Sequence, residues 1–134
     1  MEIPSVTAYC SDLDALVAKH ATQPTMIVLI DDIERWVAAN HLKVAGNPVG
    51  TCFETQGQVP RRIVIRDAIS EERVNGILGR LDFRGYWEET RTLRGDPAEF
   101  LRHLVLHELA HLENNWGQER EDDCDVWAFS RLAV

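Results

Sequence analysis

The stretch that decides the fold is residues 96–117, DPAEFLRHLVLHELAHLENNWG, in a chain of 134 residues. Asp96 is a favourable N-cap, Pro97 suits the first helical position, and Glu99 stands where a capping-box carboxylate belongs. Apolar residues then recur at spacings of three and four, at Phe100, Leu101, Leu104, Val105, Leu109 and Leu112. Residues 114–117, Asn-Asn-Trp-Gly, are a typical helix stop. The sequence therefore predicts a long capped helix with an apolar face.

Shorter patterned segments surround this helix. In chain order they predict a helix at 11–20, a buried strand at 25–30, a helix at 33–38 capped by Asp31 or Asp32, a turn at 45–48, hairpin arms at 49–55 and 61–66, a weak helix at 71–79 and a last helix at 118–132. The second hairpin arm is apolar at 63–65, so we expect it to be buried on both faces. Residues 81–93 are aromatic and charged without a clean period, and no element is predicted there.

Composition and charge narrow the class of protein. With 45% hydrophobic and 27% charged residues, the chain is expected to fold as a single domain spanning residues 1–134. The net charge of −8 argues against a nucleic-acid binder. The longest apolar run, 26–30, is far shorter than the ~20 residues that a membrane span requires. Three separated cysteines and an N-terminus unlike a secretory signal suggest a cytoplasmic protein with reduced thiols.

Most basic residues of the chain lie between Arg61 and Arg94, where they are interleaved with acidic residues. We interpret these arginines as a solvated face of mixed charge. The alternative interpretation is that they contact an acidic partner.

His107, Glu108 and His111 form a His-Glu-x-x-His motif within the predicted long helix. A spacing of four places both imidazoles on one helix face, about one turn apart, where they can hold a single metal ion. Glu108 can then reach water at the metal without being a ligand, as a general base does in zinc peptidases. The motif predicts a zinc site with Glu108 as the catalytic residue. The alternative is a surface helix with an ion-pairing glutamate and two solvated histidines.

The third metal ligand is expected among the acidic residues that follow His111, because catalytic zinc usually has three protein ligands and one open position. Glu121 and Asp125 align with apolar residues of the last helix at spacings of three and four. A carboxylate buried there needs a partner. We therefore predict Glu121 as the third ligand and Asp125 as an acceptor for a ligand histidine. Asp122, Glu119 and Asp125 remain alternative ligands.

Two other residues, His103 and Cys124, lie close to these motifs in the sequence. His103 lies one turn before His107, too far along the helix from His111 for both to bind one metal ion, so a supporting or solvated role is expected. Cys124 is interpreted as a small buried hydrophobic residue.

These motifs resemble those of the ImmA/IrrE-type metallopeptidases, in the gluzincin group of the zincins. The resemblance rests on residues 107–112, HELAHL, and 121–128, EDDCDVWA. The family pattern is His-Glu-x-x-His followed by Glu-x-x-Ala-Asn/Asp-x-Phe-Ala. Cys124 and Trp127 depart from the alanine and phenylalanine of that pattern.

The resemblance implies that His107, His111 and Glu121 are zinc ligands. It implies Glu108 as the catalytic base of a zinc metalloendopeptidase that acts on a cytoplasmic protein or peptide, with transcriptional regulators among the candidate substrates. The implied fold is α+β, a small zincin-like domain whose short mixed or antiparallel sheet packs against the active-site helix and the C-terminal helix after it.

Zincins commonly bind their substrate as an added strand, and we expect residues 49–55 to supply the accepting edge. Two alternatives to proteolysis remain. One is a zincin-fold module of phage or mobile-element type that works by binding a protein. The other is a purely structural zinc domain, which would have four protein ligands.

Overall fold

The computed structural model of the chain describes residues 1–44 and 46–133, so Ala45, the first residue of the predicted turn, lies outside the described residues. The described elements are the short 3-10 helix Val6–Tyr9, α1 (Cys10–His20), β1 (Thr25–Ile30), α2 (Ile33–Ala39), β2 (Gly50–Phe53), β3 (Arg61–Arg66), α3 (Glu71–Phe83), α4 (Trp87–Leu93), α5 (Pro97–Asn114), the short 3-10 helix Gln118–Arg120 and α6 (Glu121–Leu132). The α+β class is confirmed.

The sheet has the strand order β1-β3-β2, with β1 parallel and β2 antiparallel to β3. All six residues of β3 are buried, as its apolar centre predicted. Ile63 and Ile65 belong to the main core, whereas Val64 belongs to a smaller cluster with residues of α2. The predicted hairpin is therefore present, with helices covering both faces of its second strand.

The prediction that β1 is a buried strand is wrong. β1 pairs with β3 on one side only, and Met26 is 50% exposed. A continuous apolar run is typical of a strand that is covered on both faces, but an edge strand of the same composition is covered less completely.

The interpretation of the arginines as a solvated face is wrong for Arg61, Arg62 and Arg66, which are buried. Arg61 Nη1 lies 2.5 Å from Glu113 Oε2, and its Nη2 donates to the Leu112 carbonyl at 3.2 Å. Arg61 can be buried at the end of a central strand because these partners satisfy its donors.

Helix α5 is built as its sequence predicted. The Asp96 side chain accepts a hydrogen bond from the Glu99 backbone N–H at 3.2 Å, and Pro97 is the first helical residue. The Glu99 carboxylate accepts from Arg102 at 2.8 Å, so it forms an ion pair on the helix surface. Asn115 ends the helix in the left-handed conformation, with φ of 53°. The helix packs against β2, β3, α1 and α6.

The segment that could not be predicted, 81–93, holds the end of α3, a tight connection and α4. α3 is capped by Ser70, whose side chain accepts from the Arg73 N–H at 3.2 Å, and it is four residues longer than predicted. None of the helices in the described part of the chain has the length and hydropathy needed to cross a membrane.

Candidate metal centre and its cleft

The predicted metal-binding side chains meet at the interface of α5 and α6. Glu121 Oε2 lies 2.9 Å from His107 Nε2, and Glu121 Oε1 lies 2.8 Å from His111 Nε2. One carboxylate thus reaches the same nitrogen of both imidazoles. Two imidazoles and a carboxylate are a donor set that suits a catalytic zinc ion.

The chain reverses direction between α5 and α6, and hydrogen bonds in this turn hold the His111 ring in position. The backbone N–H of Trp116 donates to the His111 carbonyl at 3.0 Å. The His111 ring in turn donates from Nδ1 to the Trp116 carbonyl at 2.8 Å. With Nδ1 used in this way, Nε2 is the nitrogen directed at Glu121.

Asp125 holds the other histidine, as predicted. Its Oδ1 lies 2.6 Å from His107 Nδ1, while its Oδ2 accepts from Arg84 Nη1 at 2.6 Å. His103 is buried, with Nε2 3.3 Å from the same Oδ1 but poorly aligned for a hydrogen bond. Its ring packs against that of Phe129, with the ring centroids 4.4 Å apart and the planes tilted by 31°. His103 therefore supports the site and is not solvated.

Glu108 is 8% exposed and lies on α5 beside the two histidines. Burial raises its pKa, and the neighbouring positive histidines oppose that rise. Cys52 of β2 lies beside it, and the pKa of that thiol is raised by burial and by the charge of Glu108. No local sequence pattern signals this contact, because Cys52 comes from a strand far away along the chain.

Cys124 is a donor that sequence reasoning did not assign to the site. One ligand atom from each of His107, His111 and Cys124 lies within 4.8 Å of the others, and the thiol is buried. Cys124 follows Glu121 by three residues, so both occupy the same face of α6. This spacing of three is the sequence feature that could have placed Cys124 at the site.

Of the three alternative ligands, Asp125 contacts the outer nitrogen of His107, and the other two lie away from the cluster. Asp122 Oδ1 is 2.8 Å from Arg84 Nε at the exposed rim, and Glu119 is exposed in the turn before α6. The structure thus brings together the four residues that were predicted, His107, Glu108, His111 and Glu121. Their metal-binding and catalytic roles stay predictions.

Opposite charges stabilise the metal-free cluster. Burial would lower the pKa of His107, but hydrogen bonds to Asp125 and Glu121 outweigh it and raise the pKa to about 10. The nearby Cys124 sulfur and Glu121 raise the pKa of His111 to about 11. Burial would raise the pKa of Glu121, but both histidines outweigh it and lower the pKa to about 2. At neutral pH the metal-free site therefore holds two imidazolium groups around a carboxylate.

We predict that zinc binding releases protons from this cluster. Metal binding requires neutral imidazoles, so about two protons should be released per zinc ion at pH 7, from His107 and His111. Zinc affinity should accordingly rise with pH, because fewer protons then compete for these nitrogens. Calorimetric titrations of zinc in buffers of different ionisation enthalpy measure the number released. A value near zero would contradict the protonated pair.

A cleft of about 520 Å³ opens in front of this cluster. Its walls are the segment 47–51, which leads into β2, one face of α3, the face of α5 that carries His107 and Glu108, and the start of α6. The candidate catalytic residue Glu108 and two of the candidate ligands, His107 and Glu121, therefore line a space that a peptide can enter.

Comparisons with protein-family models, with curated proteins and with solved structures gave no match to this chain. The residues of the cluster and the geometry of the cleft are therefore the basis for a functional proposal.

Proposed function

We propose that this chain is a zinc-dependent metalloendopeptidase of the zincin type that resembles the ImmA/IrrE enzymes. The observation that carries the proposal is the carboxylate of Glu121, which lies within 2.9 Å of Nε2 on both His107 and His111. Glu108, buried between the first histidine and the sheet, supplies the base that peptide hydrolysis requires.

The chemistry of the donors fits zinc. His107, His111 and Glu121 would hold the ion, and each imidazole keeps its other nitrogen on a fixed acceptor, Asp125 or the Trp116 carbonyl. Such acceptors orient the ring and increase its basicity as a ligand.

Zinc bound there would polarise the scissile carbonyl and lower the pKa of the attacking water toward ~7. Glu108 would take the proton of that water and later deliver it to the leaving amine. Its raised pKa suits both steps, because a carboxylate whose pKa lies nearer the working pH both accepts and returns a proton effectively.

The substrate is proposed to bind along β2. This strand pairs with β3 on one side and forms the edge of the sheet, and Gly50 and Thr51 line the cleft. An extended peptide can add to such an edge through main-chain hydrogen bonds. This supports residues 49–55 as the accepting segment. The resemblance to the ImmA/IrrE enzymes is the basis for proposing a cytoplasmic protein, such as a transcriptional regulator, as the substrate.

The proposal is tested by metal analysis and cleavage. Protein purified gently without chelators should hold about one zinc ion per chain and should cleave an unstructured protein such as β-casein. Removal of the metal should abolish cleavage, and added zinc should restore it. A gently purified protein that holds no metal would count against the proposal.

A second candidate function is favoured by Cys124. If its sulfur joins His107, His111 and Glu121, the metal has four protein ligands, as structural zinc sites do, and no position is open for water. The domain would then act by binding a protein without cleaving it.

A further inference from the structure

The wall of the cleft formed by α3 is basic, although the chain as a whole has a net charge of −8. Arg73, Arg80 and Arg84 follow one another at spacings of seven and four, which places them on one face of the helix and its C-terminal extension. All three line the cleft. The apolar face of α3, about a quarter-turn around the helix from the arginines, is buried in the core, so the packing of the helix leaves the arginine face at the cleft.

Two of these arginines are engaged by the protein itself. Arg73 Nη1 donates to the Asn47 carbonyl at 2.9 Å and so holds the segment that leads into β2. Arg84 forms ion pairs with Asp122 and Asp125 at 2.8 and 2.6 Å and so ties α3 to α6. These two guanidinium groups therefore connect the walls of the cleft.

Arg80 lies between them and is exposed. Among the described residues, its side chain has no hydrogen-bond or ion-pair partner. It is about one helical turn, roughly 6 Å along the axis, from Arg84, whose partner Asp125 contacts His107. Gly76, one turn earlier, leaves open space, since a Cβ placed there would meet nothing within 4 Å. A ligand group could thus approach Arg80 from the cleft.

We propose that Arg80 determines specificity by binding a carboxylate of the peptide in the cleft. The carboxylate is that of an aspartate or glutamate side chain or of the peptide's free C-terminus. A guanidinium group offers paired N–H donors that match a carboxylate, which gives both charge and directional selectivity. The acidic residues of the cleft, Glu108, Glu121 and Asp125, do not compete for Arg80, because Cys52, the histidines and Arg84 engage them. This inference rests on the proposed function, since it names the substrate class of the same cleft.

The test measures binding separately from cleavage. Zinc-loaded Glu108→Gln protein is titrated by fluorescence anisotropy with labelled decapeptides of alanine and leucine. Each peptide carries one glutamate or one glutamine at successive positions, with the C-terminus either amidated or free. A glutamate peptide should bind about tenfold more tightly than its glutamine counterpart at one position. A difference between free and amidated ends would instead identify the C-terminal carboxylate as the group that is bound.

The preference should disappear in Arg80→Gln and persist in the matched control Arg91→Gln, which removes an arginine that is 76% exposed on α4 and outside the cleft. Equal binding of glutamate and glutamine peptides with no difference between free and amidated ends, absence of binding, or a preference that survives Arg80→Gln would overturn the inference. Failure of the proposed function looks different. In that case wild-type protein with zinc would bind the acidic peptides selectively and leave them uncut.

Discussion

Replacing Glu108 with glutamine should abolish peptide cleavage and leave zinc bound. Glutamine keeps the shape of the side chain but cannot accept the proton of the attacking water, so the rate of cleavage should fall about 10³-fold. The zinc content should stay at the wild-type level, because the contacts of Glu121 are with His107 and His111 and do not involve Glu108. The melting temperature should not fall, since the buried carboxylate, whose pKa is raised, is replaced by a neutral group of equal size.

Glu99→Gln is the matched control. Glu99 lies about two and a half turns earlier on the same helix, and its carboxylate pairs with Arg102 away from the cleft. Its removal should change neither the cleavage rate nor the zinc content. If Glu108→Gln cleaves as fast as wild-type protein, the proposed role of Glu108 is wrong. Full biological activity of that variant would favour the non-proteolytic binding module.

How much of this fold the sequence predicts depends on whether the residues that specify an element lie within that element or far away along the chain. Helix α5 was predicted almost to the residue because Asp96, Pro97 and the left-handed Asn115 act locally, within one turn of the helix ends. β1 was located correctly, but its burial was overestimated, since a strand's place in a sheet depends on residues far away in the chain. The same limit applies to Arg61, whose burial depends on Glu113, 52 residues later.

The candidate site likewise has a part that local sequence patterns predict and a part that they do not. The spacing of four between His107 and His111, and the alignment of Glu121 with Asp125 on α6, can be obtained from helical geometry alone. The contact of Cys52 with Glu108 and that of Arg84 with Asp125 join separate elements, and no local pattern specifies such contacts. Arg84 also lies in the segment 81–93, whose mixed composition gives no period.

The third ligand should be identified by comparing Glu121→Gln with Cys124→Ala. If Glu121 completes the site, Glu121→Gln should weaken zinc binding by more than about 100-fold, beyond the loss typical for an outer hydrogen-bond partner. Part of that loss arises because the carboxylate holds both imidazoles in position, at 2.9 and 2.8 Å from their Nε2 atoms. Cys124→Ala removes a buried thiol but leaves the carboxylate, so zinc should bind nearly as tightly. Competition with a coloured chelator measures both affinities.

Cobalt substitution then shows whether sulfur is bound to the metal, independently of cleavage. A thiolate ligand gives a near-ultraviolet charge-transfer band in the cobalt form, whereas a set of two imidazoles and a carboxylate does not. We expect no such band in wild-type protein. Cys52→Ala is the control, since it removes the other thiol near the site. A band that Cys124→Ala abolishes and Cys52→Ala retains would assign four protein ligands to the metal. The closed site would then favour a structural zinc domain, because no position would be left open for water.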